Sequence, residues 1–261
     1  METSDMKAPD IAQNPLVLGG TTEATALCRA LSEAGMGGTI SFAGRVARPV
    51  RQPLPQRIGG FGGVAGLVRY LKDHRISHVI DATHPFAAQM SAHAVLACAE
   101  AGVPLIALTR APWHAGPGDA WTHVPGIPGA VAALSRPATR VMLAVGRMHL
   151  AEFAPNPQHF YLLRLIDAPD AALPFADCAI VQDRGPFSVE GDLALMRDHR
   201  IGLVVSKNSG GSGAFAKLAA ARQLGLPVIM IDRPALPERR EAHAPQEVLA
   251  WLAHSGTPRG V

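Results

Sequence analysis

Aromatic residues are scarce in this 261-residue chain, at 5%, which removes the stacking surface that single-stranded nucleic-acid binders rely on. No nucleic-acid partner is expected. Cysteine is equally sparse: Cys28, Cys98 and Cys178 stand far apart inside apolar patterns, so neither a C-x-x-C metal site nor a disulfide framework is available. They read as buried thiols, with no metal expected. No uninterrupted run approaches the roughly 18 apolar residues of a membrane span, and the first residues, METSDMKAPD, are polar. A cytoplasmic protein with no membrane partner is the expectation. Two nucleotide-handling motifs are missing as well. There is no G-x-x-x-x-G-K-[ST], and the two tyrosines, Tyr70 and Tyr161, are followed four residues on by His74 and Leu165, not by the lysine of short-chain dehydrogenases.

Hydrophobic residues make up 48% of the chain, and Gly (26) and Pro (22) are plentiful, a balance that suits a core cut by many strand-to-helix turns. Strand signals recur at 16–19, 39–44, 78–83 and 104–109 with helical patterns between them, the mark of βαβ units and a parallel sheet. In the first helix Ala24, Leu27, Cys28 and Leu31 fall on one stripe, and Gly35 ends it. A Gly- and Pro-rich linker is expected near 111–127, after which the alternation restarts. The expected architecture is therefore α/β: two Rossmann-like domains, 1–112 and 113–261, each a parallel sheet flanked by helices, with a ligand cleft between them.

Ligands of open parallel sheets gather beyond the carboxyl ends of the strands. After the first strand comes LGGTTEA, where Gly19 permits a tight turn, Gly20 and Thr21 let an anion approach the backbone, and the helix from Glu23 aims its dipole outward. The spacing of the dinucleotide fingerprint is incomplete, so a nucleotide, another anion or no ligand all fit this turn alone. About 20 residues on, where an NAD site carries an acid, residues 41–45 offer Ser41 and Arg45 instead. That pair suits a 2′-phosphate and points to NADPH. No acid interrupts the stretch from Arg45 to Lys72, which holds six cations; it suits an anionic small molecule or a solvated basic loop.

Other strand ends are polar too. Thr83 and His84 sit at the tip of the third strand, with Pro85 suited to a first helical position; His84 reads as a proton donor, a phosphate contact or a helix-start residue. SKNSGGSGAFAK, 206–217, is an anion site or a flexible surface loop. DRGPFSVEGD, 183–192, is a similar turn with Arg184 before Gly185-Pro186, Arg147 follows the strand at 141–146, and Arg164 lies in an apolar strand where an unpaired charge is costly. These cations converge on one predicted edge, as a polycarboxylate requires.

Together LGGTTEA (18–24), DATHPFA (81–87), GPFS (185–188), SKNSGG (206–211) and LPVIMIDRP (226–234) resemble the precorrin-6A reductase family of cobalamin biosynthesis. The resemblance runs through nearly the whole chain. It implies a reduced nicotinamide cofactor and a polycarboxylate tetrapyrrole, reduced at its C18=C19 double bond to precorrin-6B, with handover to neighbouring pathway enzymes as a further partner relation. It also implies that Gly19, Gly20, Thr21, Thr22 and Glu23 shape the pyrophosphate end, that Ser41 and Arg45 hold the ribose phosphate, and that Thr83, His84 and Pro85 line the nicotinamide end. Ser206, Lys207, Ser209 and Gly210 complete the cofactor site, with His84 and Lys207 as catalytic candidates. Arg147, Arg164, Arg184, Ser188 and Lys207 are the substrate-binding candidates. The alternatives are the cobalt-containing anaerobic counterpart and a non-catalytic NADP(H) sensor.

Overall fold

The computed structural model describes residues 13–44, 51–167, 169, 172–183 and 185–255. In chain order the elements are β1 (Pro15–Leu18), α1 (Thr22–Glu33), β2 (Thr39–Phe42), β3 (Gln56–Ile58), α2 (Gly63–Asp73), β4 (His78–Asp81), α3 (Ala88–Ala101) and β5 (Leu105–Leu108). Then follow β6 (Ala120–Val124), α4 (Gly126–Ala133), β7 (Arg140–Ala144), a 3₁₀ helix (Arg147–Phe153), β8 (Phe160–Leu165), β9 (Cys178–Gln182) and α5 (Val189–Asp198). The chain closes with β10 (Leu203–Lys207), α6 (Ala216–Gln223), β11 (Pro227–Ile231), β12 (Glu241–Ala242) and α7 (Pro245–Ser255). Two compact units result, one from residues 1–109 and 236–261 and the other from 110–235.

The first unit carries a parallel sheet of order β12-β5-β4-β1-β2-β3. Alternation along its buried central strands sorts side chains to two faces. Val17, Ile40, Ile80 and Ile106 pack with the α1 stripe of Ala24, Leu27, Cys28 and Leu31 and with Val248, Trp251 and Leu252 of α7. Leu16, Leu18 and Val79 pack on the opposite face with Leu67, Val68 and Leu71 of α2 and Ala94, Ala97 and Cys98 of α3. Each fully buried leucine contributes roughly 1.5–3 kcal/mol, so the apolar stripes anticipated from spacing carry the fold. Burial also pushes the thiols of Cys28 and Cys98 up, to about 11 and about 12.

The second unit repeats the plan with a parallel sheet of order β6-β11-β10-β7-β8-β9. Met142, Leu162, Val204, Val228 and Met230 form one core with Met196 of α5 and Leu218, Ala220 and Ala221 of α6.

Two expectations of organisation are corrected. The stretch expected as a linker, 111–127, contains β6, which pairs with β11 from Ala120↔Pro227 to Val124↔Ile231; its flanking Gly and Pro residues masked a short edge strand. The tail expected within the second domain, 236–261, returns to the first. There β12 extends the sheet beside β5, Ala107 N–H donates to Arg240 O at 2.8 Å, and α7 covers the core beside α1. Without that return the apolar face of α1 loses Val248 and Leu252.

Candidate functional site

In the first sheet, strand order reverses between β1 and β4, because the chain winds outward to β3 from one and to β12 from the other. Such a switch point opens a crevice at the carboxyl ends of the two strands. Thr21 ties the two ends together. Its Oγ1 donates to Ala82 O at 2.9 Å and accepts from Ala24 N–H at 3.1 Å, capping α1. Gly19 N–H donates to Ser41 O at 2.9 Å, and a Cβ on Gly19 would meet Ile40 Cδ1 at 2.7 Å. The turn thus lies close on β2, and a side chain at position 19 would have to displace the buried Ile40. Gly20, at φ +133°, is open to solvent with nothing near its absent Cβ. Among the described residues no group accepts from the N–H of Gly20, Thr21 or Thr22, so this corner retains the donors that a phosphate needs. Thr22 Oγ1 is turned to Glu23 Oε2 at 3.1 Å.

At the end of β2 the structure supplies a cation that the sequence reading did not single out. Arg57 Nη1 donates to Ser41 Oγ at 3.0 Å and to Gly59 O at 2.5 Å, and Nη2 donates to Gly60 O at 2.7 Å. The guanidinium lies over Phe61 at 3.8 Å and Tyr70 at 5.1 Å. A planar cation stacked on rings and fixed by carbonyls is presented in one orientation. Arg57 was one of six cations in an acid-free stretch, and no spacing rule separates it from the others; its pairing of β3 with β2, Ser41↔Arg57, does. Ser41 itself is buried and fixes this guanidinium. Arg45, expected beside Ser41, lies outside the described residues.

Asp81 organises the end of β4. Its Oδ1 accepts from Thr83 N–H at 3.1 Å and Thr83 Oγ1 at 2.7 Å, while Oδ2 is paired with Arg239 at 2.5 Å. Both pair members are buried, at 1% and 8% side-chain exposure, so each neutralises a charge that would be costly alone. Thr83 Oγ1 also lies 3.3 Å from Ser91 Oγ. The threonine hydroxyl therefore faces the protein, and its role is to shape the turn. Pro85 is not the first helical residue: Ala87 N–H donates to His84 O at 2.7 Å, closing a turn over 84–87 before α3 begins at Ala88. His84 Nδ1 accepts from Phe86 N–H at 3.2 Å, which leaves the neutral ring's proton on Nε2.

In the second unit the switch point lies between β7 and β10. Lys207 ends β10 and is 9% exposed, Ser206 before it is fully buried with its hydroxyl on Lys207 O at 3.2 Å, and Ser209 and Gly210 form the following turn. Ser206 thus supports the strand end and offers no surface to a cofactor. Arg147 is exposed at the start of the 3₁₀ helix after β7. Arg164, expected on the substrate rim, is instead 9% exposed and ion-paired with Asp192 of α5 beneath Phe187. A cation in the middle of an apolar strand needs such a partner. Beside this pair Lys217 donates to Ala214 O at 2.6 Å, and burial pulls its ammonium down to about 8. Ser188 caps α5, accepting from Gly191 N–H at 3.0 Å. Arg184 lies outside the described residues. The predicted convergence of cations on one edge therefore does not include Arg164.

No group of three His, Cys, Asp or Glu residues forms a metal site among the described residues, and none of their helices is long and apolar enough to cross a membrane.

The comparisons with known proteins agree with this architecture. A family model described as precorrin-6x reductase CbiJ/CobK matches residues 15–253. A precorrin-6A reductase of Rhodobacter capsulatus is 60% identical, covering 94% of this chain and 98% of its own, and one from Sinorhizobium sp is 44% identical, covering 97% and 96%. A cobalt-precorrin-6A reductase of Salmonella typhimurium is 32% identical over 91% of this chain and 96% of its own. The solved structure of a CobK precorrin-6A reductase superposes with a TM-score of 0.90 at 59% identity, covering 95% of this chain and all of that one. By sequence, by fold and by the glycine turns at its strand ends, the chain belongs to the precorrin-6x reductase family CbiJ/CobK.

Proposed function

We propose that the chain is an NADPH-dependent precorrin-6A reductase, transferring hydride to the C18=C19 double bond of the macrocycle to give precorrin-6B. Family membership carries the substrate, a tetrapyrrole with many carboxylates. Arg57 carries the choice of NADPH: a stacked guanidinium, hydrogen-bonded to Ser41, stands where an NAD enzyme places an acid. Greater identity to the metal-free reductases, 60% and 44%, than to the cobalt enzyme, 32%, favours the metal-free substrate. A cytoplasmic setting and handover of the product to neighbouring pathway enzymes belong to the same proposal.

The nicotinamide cofactor, when bound, supplies the hydride. The protein's own part is positioning. Gly19 and Gly20 keep the β1 turn low and open, and the N–H groups of Gly20, Thr21 and Thr22 receive the pyrophosphate. Arg57, with Arg45 from the same basic stretch, holds the 2′-phosphate beside Ser41. The Asp81–Thr83 turn, locked by Arg239, holds His84 and Pro85 at the nicotinamide end. His84, Lys207 and water are the candidates for the proton that completes the reduction. Arg147, Arg184 and Lys207 remain the proposed carboxylate contacts.

The deciding experiment follows the nicotinamide absorbance of purified protein with NADPH or NADH, with and without metal-free precorrin-6A. Substrate-dependent NADPH consumption is expected. Tight NADPH binding with no consumption would replace this reading by the cobalt-containing substrate or a cofactor sensor.

A further inference from the structure

The turn after β10 is built with its carbonyls inward. Arg233 donates Nε to Asn208 O at 3.0 Å and Nη2 to Ser209 O at 3.2 Å. Arg110 Nη1 reaches Gly210 O at 3.4 Å, and Trp113 Nε1 donates to Gly211 O at 2.7 Å. Four successive backbone oxygens are thus held by side chains. The struts are themselves fixed: Arg233 Nη1 donates to Arg110 O at 2.8 Å, and the Asn208 side chain exchanges two hydrogen bonds with the backbone of Trp113, at 2.7 and 3.0 Å.

Holding these carbonyls aside leaves the N–H groups. Among the described residues nothing accepts from the N–H of Gly210, Gly211 or Ser212. Gly210 is a buried residue, and buried N–H groups without an acceptor are rare in folded proteins. The two glycines sit at φ +70° and +72° in the turn after β10, and successive backbone N–H groups of a turn can form an anion-binding concavity. Neither position admits a side chain. A Cβ on Gly210 would lie 2.3 Å from Ala111 O and 2.5 Å from Arg233 Nη2, and one on Gly211 would lie 2.7 Å from Arg110 Cδ. Arg110 and Arg233 add positive charge against the turn, which lies where strand order reverses in the second sheet.

We propose that the N–H groups of Gly210, Gly211 and Ser212 form a seat for one oxyanion, a phosphate or a carboxylate, and that Arg233 and Trp113 are positioning residues that turn the carbonyls away from it. By donating to three backbone oxygens the Arg233 guanidinium fixes such a surface, since a carbonyl facing an anion would repel it. The seat itself is independent of the reductase reading; only the source of the anion, cofactor phosphate or substrate carboxylate, rests on it.

The test is an amide NMR titration of the full chain labelled with ¹⁵N-glycine and ¹⁵N-serine. The probes are inorganic phosphate, NADPH and an octacarboxylate porphyrin. Saturable shifts of the Gly210, Gly211 and Ser212 amides are expected with phosphate. Matching shifts with NADPH alone assign the seat to the cofactor, and with the porphyrin alone to the substrate. Arg233→Lys retains the charge but cannot span three carbonyls; it should fold and bind roughly tenfold more weakly, the effect of about 1.4 kcal/mol. Gly211→Ala should abolish the shifts. Amides unmoved by saturating amounts of all three probes overturn the seat, and Arg233→Lys binding within about twofold of the parent overturns the positioning role. Active enzyme with unmoved amides would sink the seat alone; moving amides in a protein that never consumes NADPH with precorrin-6A would sink the reductase reading alone.

Discussion

Replacing Arg57 by methionine should separate NADPH from NADH. The guanidinium reaches Ser41 Oγ at 3.0 Å and is anchored by Gly59 O and Gly60 O, so among the described residues Nε–H and one Nη2–H remain for a ligand. A hydrogen bond to a charged group contributes about 1.5–3 kcal/mol, which corresponds to a loss of roughly 10- to 150-fold in NADPH affinity at about 1.4 kcal/mol per factor of ten. Methionine preserves apolar contact with Phe61 and Tyr70 but supplies no donor. Arg57→Lys, a point charge without the fork, should fall between the two. Titration calorimetry with both cofactors at fixed salt is the assay, because the phosphate contribution weakens as ionic strength rises. NADH affinity should stay within a few-fold of the parent in each variant. Equal losses for NADPH and NADH would show that Arg57 only supports the 59–60 turn, and the 2′-phosphate reading would be abandoned.

Three further outcomes follow from buried groups. Arg239→Met strands the Asp81 carboxylate and should cost about 3–5 kcal/mol, as removal of one partner of a buried pair does, read as a lowered urea midpoint for the first unit. Gly19→Ala drives a Cβ to 2.7 Å from Ile40 and should weaken NADPH binding while leaving binding at the second unit's turn unchanged, by calorimetry and the amide titration. The third concerns Lys217, lowered to about 8 from 10.5 by burial, with Asp192 opposing that shift and Arg164 adding to it. Between about pH 8 and 10.5 the unfolded chain binds more protons at this lysine than the folded one, so its contribution makes stability rise with pH there, by up to about 1.4 kcal/mol per unit. Lys217→Met should remove that contribution, and parallel midpoint-versus-pH curves for parent and variant would refute it.

His84→Ala tests the proton. If His84 donates it, turnover with NADPH and substrate should fall; near-normal turnover across pH would leave Lys207 or water.

Local pattern was enough for much of this protein. The α1 stripe was legible because Ala24, Leu27, Cys28 and Leu31 recur at helical spacing, and all four are buried. Parallel strands followed from apolar runs between helices, and the β1 turn from Gly19-Gly20 before a capping threonine. Such features depend on neighbours within a few residues, which is the range over which backbone preference and periodicity act. What required the tertiary structure was pairing at a distance. Arg57 was indistinguishable from five other cations until β3 set it against Ser41. Arg164 read as a rim cation until Asp192, 28 residues away, met it in the interior. The tail's return to the first sheet, and the four carbonyls drawn inward after β10, depend on partners such as Arg239 with Asp81 and Arg233 with Arg110. Residue types and their spacing determined the elements and where ligands gather; which charges are spent inside and which face a ligand was decided by contacts between distant segments, because a buried charge is tolerated only where the fold brings it a partner.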